Sequence, residues 1–270
     1  MSEAFWRLRE YWSGAGTRGL ALRAAPEHAS AALAKPAAAP GEIAYTQTER
    51  RALQPAVLAH NLVVTGLGAD PVSAAYKLLR TQVLQQMHAH GWNALAVTSP
   101  APGDGKTLTA LNLAITMARE ISHTALLVEL DLRQPTLHRL LGYEPGPGIT
   151  DYLLRGTPLS DVMINPSIDR LVVIPAGPPA DASSELLASP RMADLVRELK
   201  ARYPRRIVLF DVPPLLTSDD GLAFVPHVDA ALLVVAEGQT SYEDIARAKT
   251  MLKATHLLGA VLNRASTHIG

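Results

Sequence analysis

The chain has 270 residues, 48% hydrophobic and 19% charged, with 25 basic and 25 acidic side chains and no cysteine. A net charge of zero argues against a protein built mainly to grip nucleic acid or an anionic membrane, and no apolar run reaches the ~18–20 residues of a bilayer-spanning helix. The missing cysteines exclude disulfides, thiolate nucleophiles and cysteine-based zinc sites.

The first fourteen residues, MSEAFWRLREYWSG, have no basic segment leading into an apolar one, so no secretory signal is read and a cytoplasmic protein is expected. Phe5, Leu8 and Trp12 fall at helical spacing, joined by Trp6 and Tyr11. Two readings stand: a terminal helix that packs back on the domain, or a docking helix for a partner or a membrane surface. Residues 13–42 are rich in Ala, Gly and Pro with few large apolar groups, a composition that buries too little to offset chain entropy. Residues 1–55 are therefore taken as a helix and flexible arm, and residues 56–270 as the folded domain.

Residues 72–90 read as a helix. After Gly91 come short apolar runs at Leu95–Thr98, Ala125–Leu130, Leu171–Ile174, Ile207–Phe210, Ala231–Val235 and Gly259–Leu262, continuous as in strands covered on both faces. Helical patterns at Leu108–Arg119, Arg191–Arg202 and Tyr242–Thr255 lie between several of them. Alternating strands and helices predict an α/β fold, a mostly parallel sheet flanked by helices, with strand C-termini and ligand on one edge.

Ser99-Pro-Ala-Pro-Gly-Asp-Gly-Lys-Thr107 follows a predicted strand and opens a predicted helix. Phosphate oxygens need closely spaced backbone N–H donors. Gly103 and Gly105 let the chain curl tightly enough to supply them, and the helix adds its positive N-terminal end. Lys106 would reach the β- and γ-phosphates, and the Thr107 hydroxyl would ligate Mg²⁺. The strict motif has glycine where Pro100 stands, so this is a variant P-loop. Pro102, Gly103, Asp104, Gly105, Lys106, Thr107 and Leu108 are the expected nucleotide contacts. Asp211, at the tip of the Ile207–Phe210 strand, occupies a position suited to Mg²⁺. Glu129 and Asp131 point to one side by alternation, and two carboxylates there could hold metal and accept a proton. The lesser reading of Asp131 is a helix or turn cap, while Arg133 is equally a phosphate contact or half of an ion pair.

From about Tyr76 to Arg264 the chain resembles the bacterial tyrosine kinases of capsule and exopolysaccharide synthesis. AYKLLRTQV, TSPAPGDGKTLTALNLA, LLVELDLRQPTLHRLLG, IPAGPPADASSELLAS, IVLFDVPPLL and LLGAVLNR carry the resemblance. YTQTERRAL is similar to the exosortase-associated branch of such loci. The resemblance implies a P-loop fold related to MinD and ParA, ATP with Mg²⁺, and phosphoryl transfer to tyrosine. By position it implies Lys106, Asp131 and Asp211 as catalytic residues, Thr107, Glu129, Asp131 and Asp211 around the metal, and Asn263 with Arg264 at the base. Asp220 matches an acidic residue after the double proline. It further implies a membrane chain-length-determinant protein as partner, recruitment to the inner face of the membrane, a possible homo-oligomer, and no nucleic acid.

The chain departs from the family in three places. Glu129 stands where the family usually has Asp, and one methylene shifts the carboxylate by over ~1 Å. Ala74 replaces the acidic member of an oligomer motif that continues at Lys77 and Arg80. The family's C-terminal tyrosine cluster has no counterpart in the sequence, whose last tyrosine is Tyr242; Tyr11 and Tyr45 are then the candidate acceptors. A non-catalytic ATP switch is the alternative to a kinase. A MinD/ParA-type positioning ATPase is disfavoured because its signature lysine is Ala101 here.

Overall fold

The computed structural model describes residues 48–64, 71–120, 122–202 and 206–265. The aromatic segment at 5–12, Tyr11 and Tyr45 lie outside the described residues. Eight strands form one sheet: β1 (Glu49–Arg50), β2 (Ala94–Thr98), β3 (Thr124–Glu129), β4 (Ile164–Asn165), β5 (Leu171–Ile174), β6 (Arg206–Asp211), β7 (Ala230–Ala236) and β8 (His256–Asn263). Their spatial order is β1-β4-β5-β3-β6-β2-β7-β8. Every neighbouring pair is parallel except β4 with β5. The α/β architecture expected from the alternating pattern is the observed one. The helices are α1 (Pro55–His60), α2 (Pro71–His90), α3 (Lys106–Ala118), α4 (Leu137–Leu141), α5 (Ile149–Arg155), α6 (Leu159–Val162), α7 (Ser183–Leu187), α8 (Pro190–Arg202), α9 (Asp220–Phe224) and α10 (Tyr242–Met251).

Alternation along each strand builds two cores. Leu95 and Val97 of β2, Leu127 of β3, Leu209 of β6 and Leu232 of β7 face the layer made by Met87 of α2 and Leu111, Leu113 and Met117 of α3. Ala96, Val128, Phe210 and Leu233 face the other layer, with Met192, Leu195 and Leu199 of α8 and Ile245 of α10. Both faces are therefore dry, which is why these strands read as unbroken apolar runs. Phe210 packs on Phe224 with ring centroids 4.9 Å apart, tying β6 to α9.

β1 lies ahead of residue 55, where the sequence suggests the arm ends. Glu49 and Arg50 pair with Ile164 and Asn165, so the sheet begins before residue 55. Two residues of strand are too few for a periodicity signal. Buried Asn112 of α3 accepts from the Val64 amide at 2.8 Å and donates to the Leu62 carbonyl at 3.1 Å, which docks the segment after α1. The turn at Gly148 meets Gly177 backbone to backbone: a Cβ on Gly148 would lie 2.2 Å from the Gly177 nitrogen. That contact, with Asp151 accepting from the Gly148 amide at 3.0 Å, holds the 175–178 loop at the carboxyl end of β5.

Candidate functional site

The sheet brings the site together through register. β2 lies between β6 and β7, and Val97 pairs with Asp211 while Glu129 of β3 pairs with Asp211 on its other side. The loop leaving β2 thus starts beside the carboxyl tip of β6. Gly103 and Gly105 adopt φ of +84° and +95°, left-handed values that bend the loop into a cradle ahead of Lys106, the first residue of α3. Asp104 braces the cradle: one oxygen accepts from the Ala101 amide at 3.0 Å and the other from the Thr240 hydroxyl at 2.9 Å. The Asp104 side chain is thereby committed to the loop.

Lys106 is buried, and its ammonium donates to Asp131 Oδ2 at 2.8 Å, with Asp211 Oδ1 at 3.7 Å. Burial alone would lower its pKa, but Asp211 and Asp131 outweigh that and hold it above the ordinary lysine value. Neither oxygen of Asp211 has a hydrogen bond of normal geometry, although the side chain is fully enclosed. Burial pushes its pKa up to about 6, against the pull of Lys106, and the Glu129 charge adds to the rise. An enclosed carboxylate with unfilled lone pairs is a poor resting state and a good receptor for a cation. Asp131 also accepts from the Gln134 amide at 3.2 Å, so the turn-cap reading holds alongside the Lys106 contact.

Three expectations change. Glu129 does not face the metal position with free oxygens. Oε1 accepts from the Thr136 and Leu137 amides at 2.7 and 2.8 Å, and Oε2 from Ala176 at 3.0 Å, with no exposed surface. Its pKa is raised by burial, with the three amides opposing. The longer side chain has reached past the site to the start of α4 and the 175–178 loop, so its assignment as a metal ligand is withdrawn. Arg133 resolves as half of an ion pair, donating to Asp220 Oδ2 at 2.9 Å. Asn263 donates to the Asp104 carbonyl at 2.8 Å, and Arg264 to the Gly103 carbonyl at 2.9 Å and Gln239 at 2.9 Å, so both hold the cradle. Pro102 and Leu108 flank the cradle in sequence, and Thr107 Oγ1 lies 3.2 Å from the Lys106 ammonium. The brace formed by Gln239 and Thr240 has no motif in the sequence; only the Ser241 N-cap, which accepts from the Asp244 amide at 3.1 Å, marks where that loop ends.

A Cβ on Gly105 would lie 2.0 Å from Asn263 Nδ2, in a backbone conformation that L side chains rarely adopt. Gly105→Ala is expected to expel Asn263, cost about 1–3 kcal/mol and weaken nucleotide binding at least tenfold. Thermal melts and nucleotide titration check both numbers.

No family model matches the chain. The tyrosine-protein kinase YwqD of Bacillus subtilis is 33% identical over 193 residues, covering 71% of this chain and 80% of that protein. The kinase domain of the Escherichia coli tyrosine kinase ETK superposes with a TM-score of 0.66 at 28% identity, covering 75% of this chain and 80% of that one. The septum site-determining protein MinD of Pyrococcus horikoshii, complexed with Mg-ADP, shares the fold at a TM-score of 0.55 and 21% identity, covering 64% and 71%.

Proposed function

The chain belongs to the bacterial tyrosine-protein kinases, and from that premise we propose that it transfers the terminal phosphoryl group of ATP to protein tyrosine hydroxyls, its own included, in capsule or exopolysaccharide assembly. One observation carries the reading: Lys106 sits under a glycine cradle, held by Asp131 and facing, at 3.7 Å, an enclosed Asp211 with no hydrogen bond of normal geometry on either oxygen. Those residues fit Mg-ATP. The cradle amides and Lys106 would take the phosphates, while Thr107, Asp211 and Asp131 would surround the cation. Bound magnesium would neutralise charge on the phosphate oxygens.

The protein's own share is positioning and proton handling. The rigid cradle presents its amides without reorganisation, and Lys106 offsets negative charge on the transferred group. Asp131 Oδ2 would accept the tyrosine hydroxyl proton once Lys106 turns to phosphate. Asp220 holds Arg133 at the edge of the site, where its half-exposed guanidinium meets arriving substrate. Asn263 and Arg264, fixed on the cradle, would border the base. Residues 56–270, together with β1 ahead of them, would form the catalytic unit.

No helix among the described residues is long and apolar enough to cross a membrane. Recruitment to the inner face of the membrane would fall to a chain-length-determinant protein whose cytoplasmic tail docks here. The withdrawal of Glu129 into three backbone amides favours a second reading, an ATP-dependent switch without transfer.

Purified protein incubated with Mg-ATP, with and without such a tail, is expected to gain phosphotyrosine, and Lys106→Ala to lose it by at least 100-fold. Phosphotyrosine mapping by mass spectrometry decides. ATP binding without phosphotyrosine in either condition would leave only the switch.

A further inference from the structure

A histidine pair lies at the sheet edge opposite the nucleotide cradle. His88 is in the last turn of α2, and His123 immediately precedes β3. Their Nε2 atoms are 2.9 Å apart and their ring centroids 4.8 Å apart. A separation of 2.9 Å is shorter than the ~3.5 Å van der Waals spacing of two ring faces, so the nitrogens meet through a lone pair and a proton.

The protonation pattern follows from the neighbours. Ser122 Oγ donates to Glu120 Oε1 at 3.2 Å, and its one proton is then spent. Its lone pairs are then available to accept from His123 Nδ1 at 2.8 Å, the tautomer this contact favours. With Nδ1 protonated, neutral His123 carries its lone pair on Nε2, facing His88. His88 supplies the shared proton from its own Nε2 and, being exposed, can carry that proton on Nδ1 instead. The line Glu120–Ser122–His123 resembles the carboxylate-backed arrangement that orients imidazole ligands at metal sites.

We propose that His88 and His123 bind a first-row divalent ion of the nickel, copper and zinc group. Two metal–nitrogen bonds of ~2.05 Å meeting at about 90° span ~2.9 Å, the separation found, which suits the cis positions of octahedral nickel or tetragonal copper. The ion takes the place of the shared proton, which moves to His88 Nδ1. No group of three or more metal-ligating side chains occurs among the described residues, so water completes the coordination. Imidazole nitrogen selects these ions over magnesium, which keeps this edge chemically separate from the nucleotide edge. His90 and His256, stacked on either side of Trp92 with centroids 4.2 and 4.8 Å from it, lie at the same edge and serve as internal controls.

Untagged full-length protein, free of nucleotide, is titrated with NiCl2 by calorimetry. The expected result is one site per chain, weakened at least tenfold by His88→Ala or His123→Ala and about threefold by Ser122→Ala. Affinity in His90→Ala and His256→Ala should stay within twofold. At a hundredfold excess over Kd, nickel should raise Tm by about 5–10 °C in the wild type and not in His88→Ala. His88 is exposed, so that variant tests the site without threatening the fold. Absence of binding, binding that survives His88→Ala, or equal losses in His90→Ala would each overturn the proposal.

Discussion

Asp211→Asn is expected to abolish phosphoryl transfer while making the nucleotide-free protein more stable. The carboxylate is enclosed, has no hydrogen bond of normal geometry, and is pushed up to a pKa of about 6 by burial. The rise from 3.8 corresponds to about 3 kcal/mol of disfavoured charge at neutral pH, less whatever Lys106 loses with its partner. The asparagine amide brings its own unmet hydrogen bonds, so the net gain should be about 1–2 kcal/mol. Turnover should fall by a factor of about 10²–10⁴, because the group proposed to hold the cation is gone.

The pH dependence has a definite sign. The folded-state pKa of Asp211 lies above its unfolded value, so between about 4 and 6 the native state binds more protons than the unfolded state. Wild-type stability should therefore fall, relative to Asp211→Asn, as pH rises through that window, and the difference should level off above it. Urea melts of both proteins from pH 4 to 8, with chelator and without nucleotide, measure the difference directly. A constant difference across the range would show that Asp211 does not carry the buried charge.

Glu129 predicts the opposite trade. Glu129→Ala would strand three backbone N–H groups, those of Leu137 and Ala176, which are buried, and that of Thr136, which is half-buried. At about 1–3 kcal/mol for each stranded donor, with water meeting part of the need of the half-buried Thr136 amide, the loss should be about 3–6 kcal/mol. Glu129→Gln keeps the shape but turns an amide donor toward one of those N–H groups, and should lose about 2 kcal/mol. Glu129→Asp keeps the charge but falls short of the amides at the start of α4. In the two conservative variants the loop carrying Asp131 and Arg133 loosens, whereas the cradle, tied independently by Asp104, Thr240, Asn263 and Arg264, does not. The kinetic signature should be a lower kcat with ATP affinity changed less than threefold. If ATP affinity collapses with kcat, Glu129 belongs to the metal site after all.

The main frame was legible in the sequence because burial on both faces leaves an unmistakable mark. Leu171–Ile174 has the ends the sequence predicts, four predicted strands are longer by one to three residues at an end, and the Ala125–Leu130 strand lies one residue earlier, at Thr124–Glu129. β1 and β4 were missed, since two-residue strands are made by their neighbours rather than by their own composition. The short helices α4 to α7 and α9 have too few turns for a periodic signal. At the site, the sequence suggests Lys106, Asp131 and Asp211 because nucleotide chemistry calls for those residue types at those places, and the structure brings the three side chains together. Glu129 misled because alternation gives the side on which a residue leaves the strand. It does not give how far the side chain travels or what it meets there. The bracing by Thr240 and Gln239 joins residues 136 and 25 positions from their partners, a distance no local pattern spans.

The edge strand β1 sets the molecularity of self-modification. It runs parallel to β4, which runs against β5, so the backbone preceding Glu49 arrives from the edge that carries the cradle. Five inter-strand steps of ~4.8 Å separate β1 from β2, about 24 Å, and three separate it from β3, about 14 Å. Tyr45 precedes Glu49 by four residues and has at most ~14 Å of backbone contour. Tyr11 precedes Glu49 by thirty-eight residues, whose maximum contour of ~130 Å exceeds both separations several-fold. Phosphate appearing on Tyr45 should therefore follow second-order kinetics, slowing on dilution because a neighbouring molecule must supply the site. Phosphate on Tyr11 should accumulate at a rate independent of protein concentration.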